Sequence, residues 1–185
     1  MSSEPLKFDY NIDRVFAAVG HAITRWELFE SQLSYSYSIF IGAPRQIDVL
    51  QAYGKEGTIF TNRMETLAKA GEAYFRRSPS QSREGILSNL IAEARSLSIK
   101  RHHVAHGVVT AIAVMDPDRA DADGFIWSNN MAFWVMPPWY SALNLTKYDG
   151  IHYRYSSADI DKIAAEFADA TMRAVSFNEL LAPER

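Results

Sequence analysis

Three of the chain's five histidines fall within five residues, in the run Lys100-Arg101-His102-His103-Val104-Ala105-His106-Gly107. Imidazole has the ordinary side-chain pKa nearest neutrality, so it can take and give a proton at physiological pH. Arginine is a permanent cation whose planar fork grips a phosphate or carboxylate through two parallel hydrogen bonds. Together these groups are the parts of a phosphate-chemistry site. They also suit an ordinary helix end, where basic side chains meet the last carbonyls.

The helix carrying the run has a clear entry at Ser78-Pro79-Ser80-Gln81, with serine as cap, proline at the first helical position and glutamine at the third. Its apolar stripe reads Ile86, Leu90, Ala94, Leu97, Arg101, Ala105, so Arg101 sits where a core residue is expected. Gly107 reads as a left-handed terminator. His102 and His106 share another stripe with Arg95 and Ile99. At about 100° per residue, Arg101 and His106 lie about 140° apart. A site using both must therefore form at the helix terminus or against a second subunit.

A second charged intruder lies on the first helix, read from about Ile12 to Ile41 with Asn11 or Asp9 capping its start and Gly42 and Pro44 stopping it. Its stripe is Ile12, Val15, Val19, Ile23, Trp26, Leu33, Tyr37, and position 30 is a glutamate. A buried charge is tolerable only when paired. The economical expectation is an antiparallel pair of helices with Glu30 facing Arg101. That pair either fixes helix register or holds an active arginine in place.

The remaining elements position these two. A short helix is expected around Arg45–Tyr53, ended by Gly54, and another over Ile59–Arg76 with Phe60, Met64, Leu67, Ala68 and Tyr74 inward. After Gly107 the texture turns β-rich: Val108–Met115, Gly124–Ser128, Met131–Met136 and Ile151–Tyr155, separated by Asp-Pro, Asp-Gly and Pro-Pro turns. These read as a small antiparallel sheet of three or four strands. A last helix starts at Ser156 or Ser157 and runs to about Leu181, with Ile160, Ile163, Phe167, Thr171 and Ala174 inward. The expected fold is mainly α: one domain over residues 1–185, a bundle of four to five helices with a small antiparallel β-hairpin or sheet insert (about 108–155) before the last helix.

Composition narrows the chemistry. The 185 residues include no cysteine, which excludes disulfides, thiolate metal sites and cysteine nucleophiles. The net charge of −3 argues against a broadly basic nucleic-acid binder. From Arg63 to Arg101, however, eight Lys/Arg stand against four Asp/Glu, leaving a local net charge of +4. The start lacks a signal-peptide pattern, and no apolar run nears the roughly 18 residues that span a bilayer. The expectation is a cytoplasmic protein with no membrane partner.

Other site chemistries have weaker patterns. His102 or His103 with His106 has helical metal-ligand spacing, but a third ligand would have to come from Glu27, Glu30 or His152. The Asp116, Asp118, Asp121, Asp123 cluster lacks the calcium-loop spacing and reads as a solvated hairpin tip. Trp127, Phe133, Trp134, Trp139 and Tyr140 can stack bases, or cover the bundle or a subunit interface.

The run Arg101-His102-His103-Val104-Ala105-His106-Gly107 resembles the signature of the HEPN superfamily (higher eukaryotes and prokaryotes nucleotide-binding domains): arginine, a polar residue, three residues, histidine, often within Ala-His-Gly. The Trp26-x-x-x-Glu30-x-x-Leu33 pattern on the first helix fits the same family. The polar residue is often asparagine or aspartate there, whereas this chain has His102. The specific match covers about seven residues, and the β-rich insert lies outside the minimal fold. The resemblance implies a metal-independent ribonuclease without cofactor that cleaves RNA when two motifs meet in a homodimer. Arg101 would hold the scissile phosphate, His106 would act as general acid or base, and His102 would assist, with Glu30, His103 and Lys100 in support. It also implies a stress or defence role, with an antitoxin or other partner protein. Two alternatives stay open: a non-catalytic HEPN-like interaction or nucleotide/RNA-binding module, and a metal-dependent helical-bundle enzyme using His102 and His106.

Overall fold

Asn11 starts the first helix, its side chain accepting the Asp13 amide at 2.9 Å. Helix α1 spans Ile12–Ile41, and Gly42, in the left-handed region at φ 64°, ends it. Helix α2 (Phe60–Arg77) and helix α3 (Gln81–His106) follow. Strands β1 (Val108–Met115) and β2 (Trp127–Met136) pair antiparallel, with Val108 opposite Met136, and helix α4 (Ser157–Leu181) closes the order. The computed structural model describes residues 9–43, 53–54, 59–115, 127–138 and 153–181. The fold is a mainly helical bundle with a small two-stranded antiparallel sheet before the last helix.

Several boundaries differ from the sequence reading for physical reasons. The α3 entry begins at Gln81, two residues beyond Pro79, with Ser80 O accepting the Glu84 amide at 3.0 Å. Ser78 instead closes α2, its amide donating to Tyr74 O at 3.0 Å. Gly107 is not among the glycines of positive φ. It is needed because a Cβ there would stand 2.4 Å from Val135 Cγ1 and 2.6 Å from His103 O. Two of the expected strands change. Met131–Met136 merges into β2, and Tyr155 makes one antiparallel bridge to Val135. Most of the Arg45–Tyr53 helix, the aspartate cluster, His152, Trp139 and Tyr140 lie outside the described residues.

The chain divides into two compact units. One comprises residues 24–101 and 165–185. Its core is aromatic: Trp26 meets Phe29, Phe60 and Phe167 at centroid distances of 5.7, 5.1 and 5.3 Å, and Phe40 meets Phe75 and Phe177. Gly71 lets α2 approach α3, since a Cβ would stand 2.3 Å from Leu87 Cδ2. A buried polar link joins α1 to α4: Ser36 Oγ donates to Asn178 Oδ1 at 2.6 Å, and Asn178 Nδ2 donates to Gln32 O at 3.1 Å.

The other unit comprises residues 1–23 and 102–164. One face of its sheet buries Ala132, Trp134 and Met136 against Ile112. Ser156 caps α4 in a reciprocal box, its amide donating to Asp159 Oδ2 at 3.0 Å while the Asp159 amide donates to Ser156 Oγ at 3.3 Å. Buried Asp9 ties this start to the sheet: its carboxylate accepts the Ser157 amide at 2.5 Å and its carbonyl accepts the Phe133 amide at 2.8 Å.

Candidate functional site

Residues at the two intruder positions line one hollow of about 360 Å³ in the larger helical unit, together with Glu27, Ser31, Tyr53 and Arg63. On α1 the core stripe runs through Trp26, Phe29 and Leu33, and Glu30 flanks it. Its side chain is 14% exposed. On α3, Leu97 and Val104 are buried and Arg101 sits between them with its side chain 34% exposed.

The expected Glu30–Arg101 pair does not form. Arg63 of α2, one turn along from Phe60, carries its guanidinium onto Glu30 Oε1, and the Trp26 indole donates to Glu30 Oε2 at 3.1 Å. Arg101 lies 3.9 Å from the Glu27 carboxylate, a charge contact beyond hydrogen-bond length, and its buried Nε has no hydrogen-bond partner. The reason is sequence spacing: Glu30 and Arg63 each stand beside a buried stripe, so they can pair at its edge with little desolvation left uncompensated.

Tyr53 supplies a further polar group. The residue is 4% exposed, its ring packs on Tyr37 at 5.5 Å, and its hydroxyl is buried without a hydrogen-bond partner. Burial, reinforced by the Glu30 charge, pushes its pKa well above the usual phenol value, so it stays a proton donor. Neither Tyr53 nor Arg63 stood out in the sequence. The intruding glutamate did signal that some cation must meet it, without saying which.

Lys100 is engaged within the same unit, donating to both Glu166 carboxylate oxygens at 2.8 and 2.5 Å.

The histidines belong to the other unit. His102 and His106 are exposed one turn apart on α3, with ring centroids 4.6 Å apart. His103 stacks on Tyr153 at 4.0 Å with 13° between the planes, and its Nδ1 hydrogen-bonds the Tyr155 hydroxyl at 3.1 Å. Tyr153 stacks in turn on Tyr155 at 5.4 Å. Burial, with Tyr155 as a smaller cause, raises the Tyr153 pKa. The alternation Tyr153-Arg154-Tyr155 was the available signal, since period 2 puts both tyrosines on one side. Arg154 lies over the Trp134 ring at 4.5 Å.

The two units thus hold different parts of the motif: a guanidinium whose buried Nε is unmet, and an imidazole pair beside a third histidine stacked on Tyr153. Among the described residues no three His, Asp or Glu side chains are grouped to hold a metal ion, and no helix is long and apolar enough to cross a membrane. No protein-family model, curated protein or solved structure matches the chain.

Proposed function

We propose that the chain is a metal-independent endoribonuclease of HEPN type that acts as a homodimer, with a role in stress or defence. The observation that carries the reading is Arg101, a partly buried cation with no hydrogen bond to meet its Nε, on the helix that ends in His102, His103 and His106. Such a group suits an incoming phosphate oxygen.

In this reading Arg101 binds the scissile phosphodiester and stabilises the charge that develops on it. A histidine base takes the proton of the ribose 2′-hydroxyl as its oxygen forms a bond to phosphorus. The bond to the 5′-oxygen breaks, and that leaving oxygen takes a proton from an acid. His106 serves one of these proton transfers and His102 assists. The products are a 2′,3′-cyclic phosphate and a 5′-hydroxyl. Assembly is tested by sedimentation at micromolar concentration, where a dimer is expected and a monomer counts against the reading. Activity is tested by RNA cleavage in EDTA, which should persist.

A second reading is a non-catalytic interaction or nucleotide-binding module. The pairing of Lys100 with Glu166 favours it, because it removes one cation from the basic run. Binding of RNA without cleavage would select that reading.

A further inference from the structure

The hollow beside Arg101 contains more unmet hydrogen-bonding capacity than a salt-bridged cluster requires. Glu30 and Arg63 answer each other, and the Trp26 indole completes Glu30. The groups left over include the buried Nε of Arg101 and the buried hydroxyl of Tyr53, both without hydrogen-bond partners and both on residues lining the same hollow. A buried polar group left unpaired is destabilising, and each instance calls for a physical explanation. The arginine nitrogen can only donate, and a phenol with its proton retained also donates. Two such donors on residues that line one hollow, one of them on a permanent cation, suit an oxygen-rich anion. A cation would be repelled by Arg101.

We propose that this hollow is a phosphate-binding pocket in which Tyr53 donates its hydroxyl to the phosphate held by Arg101. Glu27 stands at the rim as a displaceable counter-charge: its side chain is 59% exposed and its carboxylate is 3.9 Å from Arg101. A phosphate entering the pocket replaces that loose contact with direct charge-assisted hydrogen bonds. The proposal rests on the reading that Arg101 grips phosphate, and it adds a second donor and a competing carboxylate. The phosphate can belong to an RNA strand or to a free mononucleotide.

The test is titration calorimetry of the full chain with AMP, inorganic phosphate and adenosine. AMP and phosphate should bind and adenosine should not. Tyr53→Phe should weaken AMP binding about tenfold, the typical effect of losing a hydrogen bond to a charged group. Its melting temperature should not fall, since the hydroxyl has no partner in the unliganded protein. Glu27→Gln should tighten binding severalfold. RNA that displaces AMP identifies the strand as the phosphate source, whereas AMP binding indifferent to RNA identifies the free nucleotide; both outcomes support the pocket. Equal affinity in Tyr53→Phe and wild type, or no binding of AMP and phosphate by wild type, overturns it. The nuclease reading fails separately: a protein that binds AMP through Tyr53 yet leaves RNA intact keeps the pocket and loses the nuclease. One that cuts RNA with a KM unmoved by Tyr53→Phe keeps the nuclease and loses the pocket.

Discussion

Arg63 on α2 holds the carboxylate of Glu30 on α1, while Arg101 stands apart, with only Glu27, at 3.9 Å, as its charge partner among the described residues. Arg63 and Glu30 side chains are 19% and 14% exposed, so this pair is largely desolvated. Among the described residues Arg63→Met leaves Glu30 with the Trp26 indole as its remaining hydrogen-bond donor and should cost roughly 3 kcal/mol, since breaking a buried pair strands a charge. Denaturant unfolding measures it, and the double variant with Glu30→Gln should recover part of the loss.

Arg101→Ala should behave differently. Its one ion pair among the described residues is long and partly solvated, so the change should cost less than about 1 kcal/mol. It can therefore probe chemistry without unfolding the core. A circular-dichroism melt close to wild type is the expected control.

The intruders show what the sequence could convey. The 3.6-residue period placed Trp26, Leu33, Leu97 and Phe167 in the core and located the four described helices, because burial of one face repeats along a helix. It marked Glu30 and Arg101 as anomalies and assumed that two anomalies pair. Partner choice depends on which neighbouring helix supplies a cation at the right height, and Arg63, at the edge of its own buried face, carried no such mark. Tyr53 was equally silent: a tyrosine whose ring packs on Tyr37 reads as core, and an unmet hydroxyl has no sequence pattern. The stacking of His103 on Tyr153 joins residues 50 apart through the bridge of Tyr155 to Val135, a tertiary fact that local period cannot reach.

The two kinds of glycine should separate in stability measurements. Gly107→Ala must move Val135 or the His103 carbonyl and should cost about 1–3 kcal/mol, the range for overpacking. Gly85→Ala, in α3 with nothing within 4 Å of the added carbon, should stabilise by about 0.5–1 kcal/mol. Thermal melts of both variants check the pair.

Tyr53 also predicts an alkaline response. Its folded pKa is raised from the ordinary value of 10.0, chiefly by burial. The unfolded chain therefore loses this proton first, and stability conferred by the protonated phenol is full below that ordinary value and declines as pH rises above it. Tyr53→Phe should flatten the alkaline decline in unfolding free energy. An unchanged slope between wild type and variant would show that the phenol titrates normally.

The ribonuclease assignment is tested most directly by mapping the ends left on RNA in EDTA by wild type, Arg101→Ala and His106→Ala. The expected result is 2′,3′-cyclic phosphate ends from wild type and no cleavage by either variant, with all three proteins equally folded. No cleavage by wild type, cleavage only when a divalent metal is supplied, or full activity in His106→Ala would contradict it.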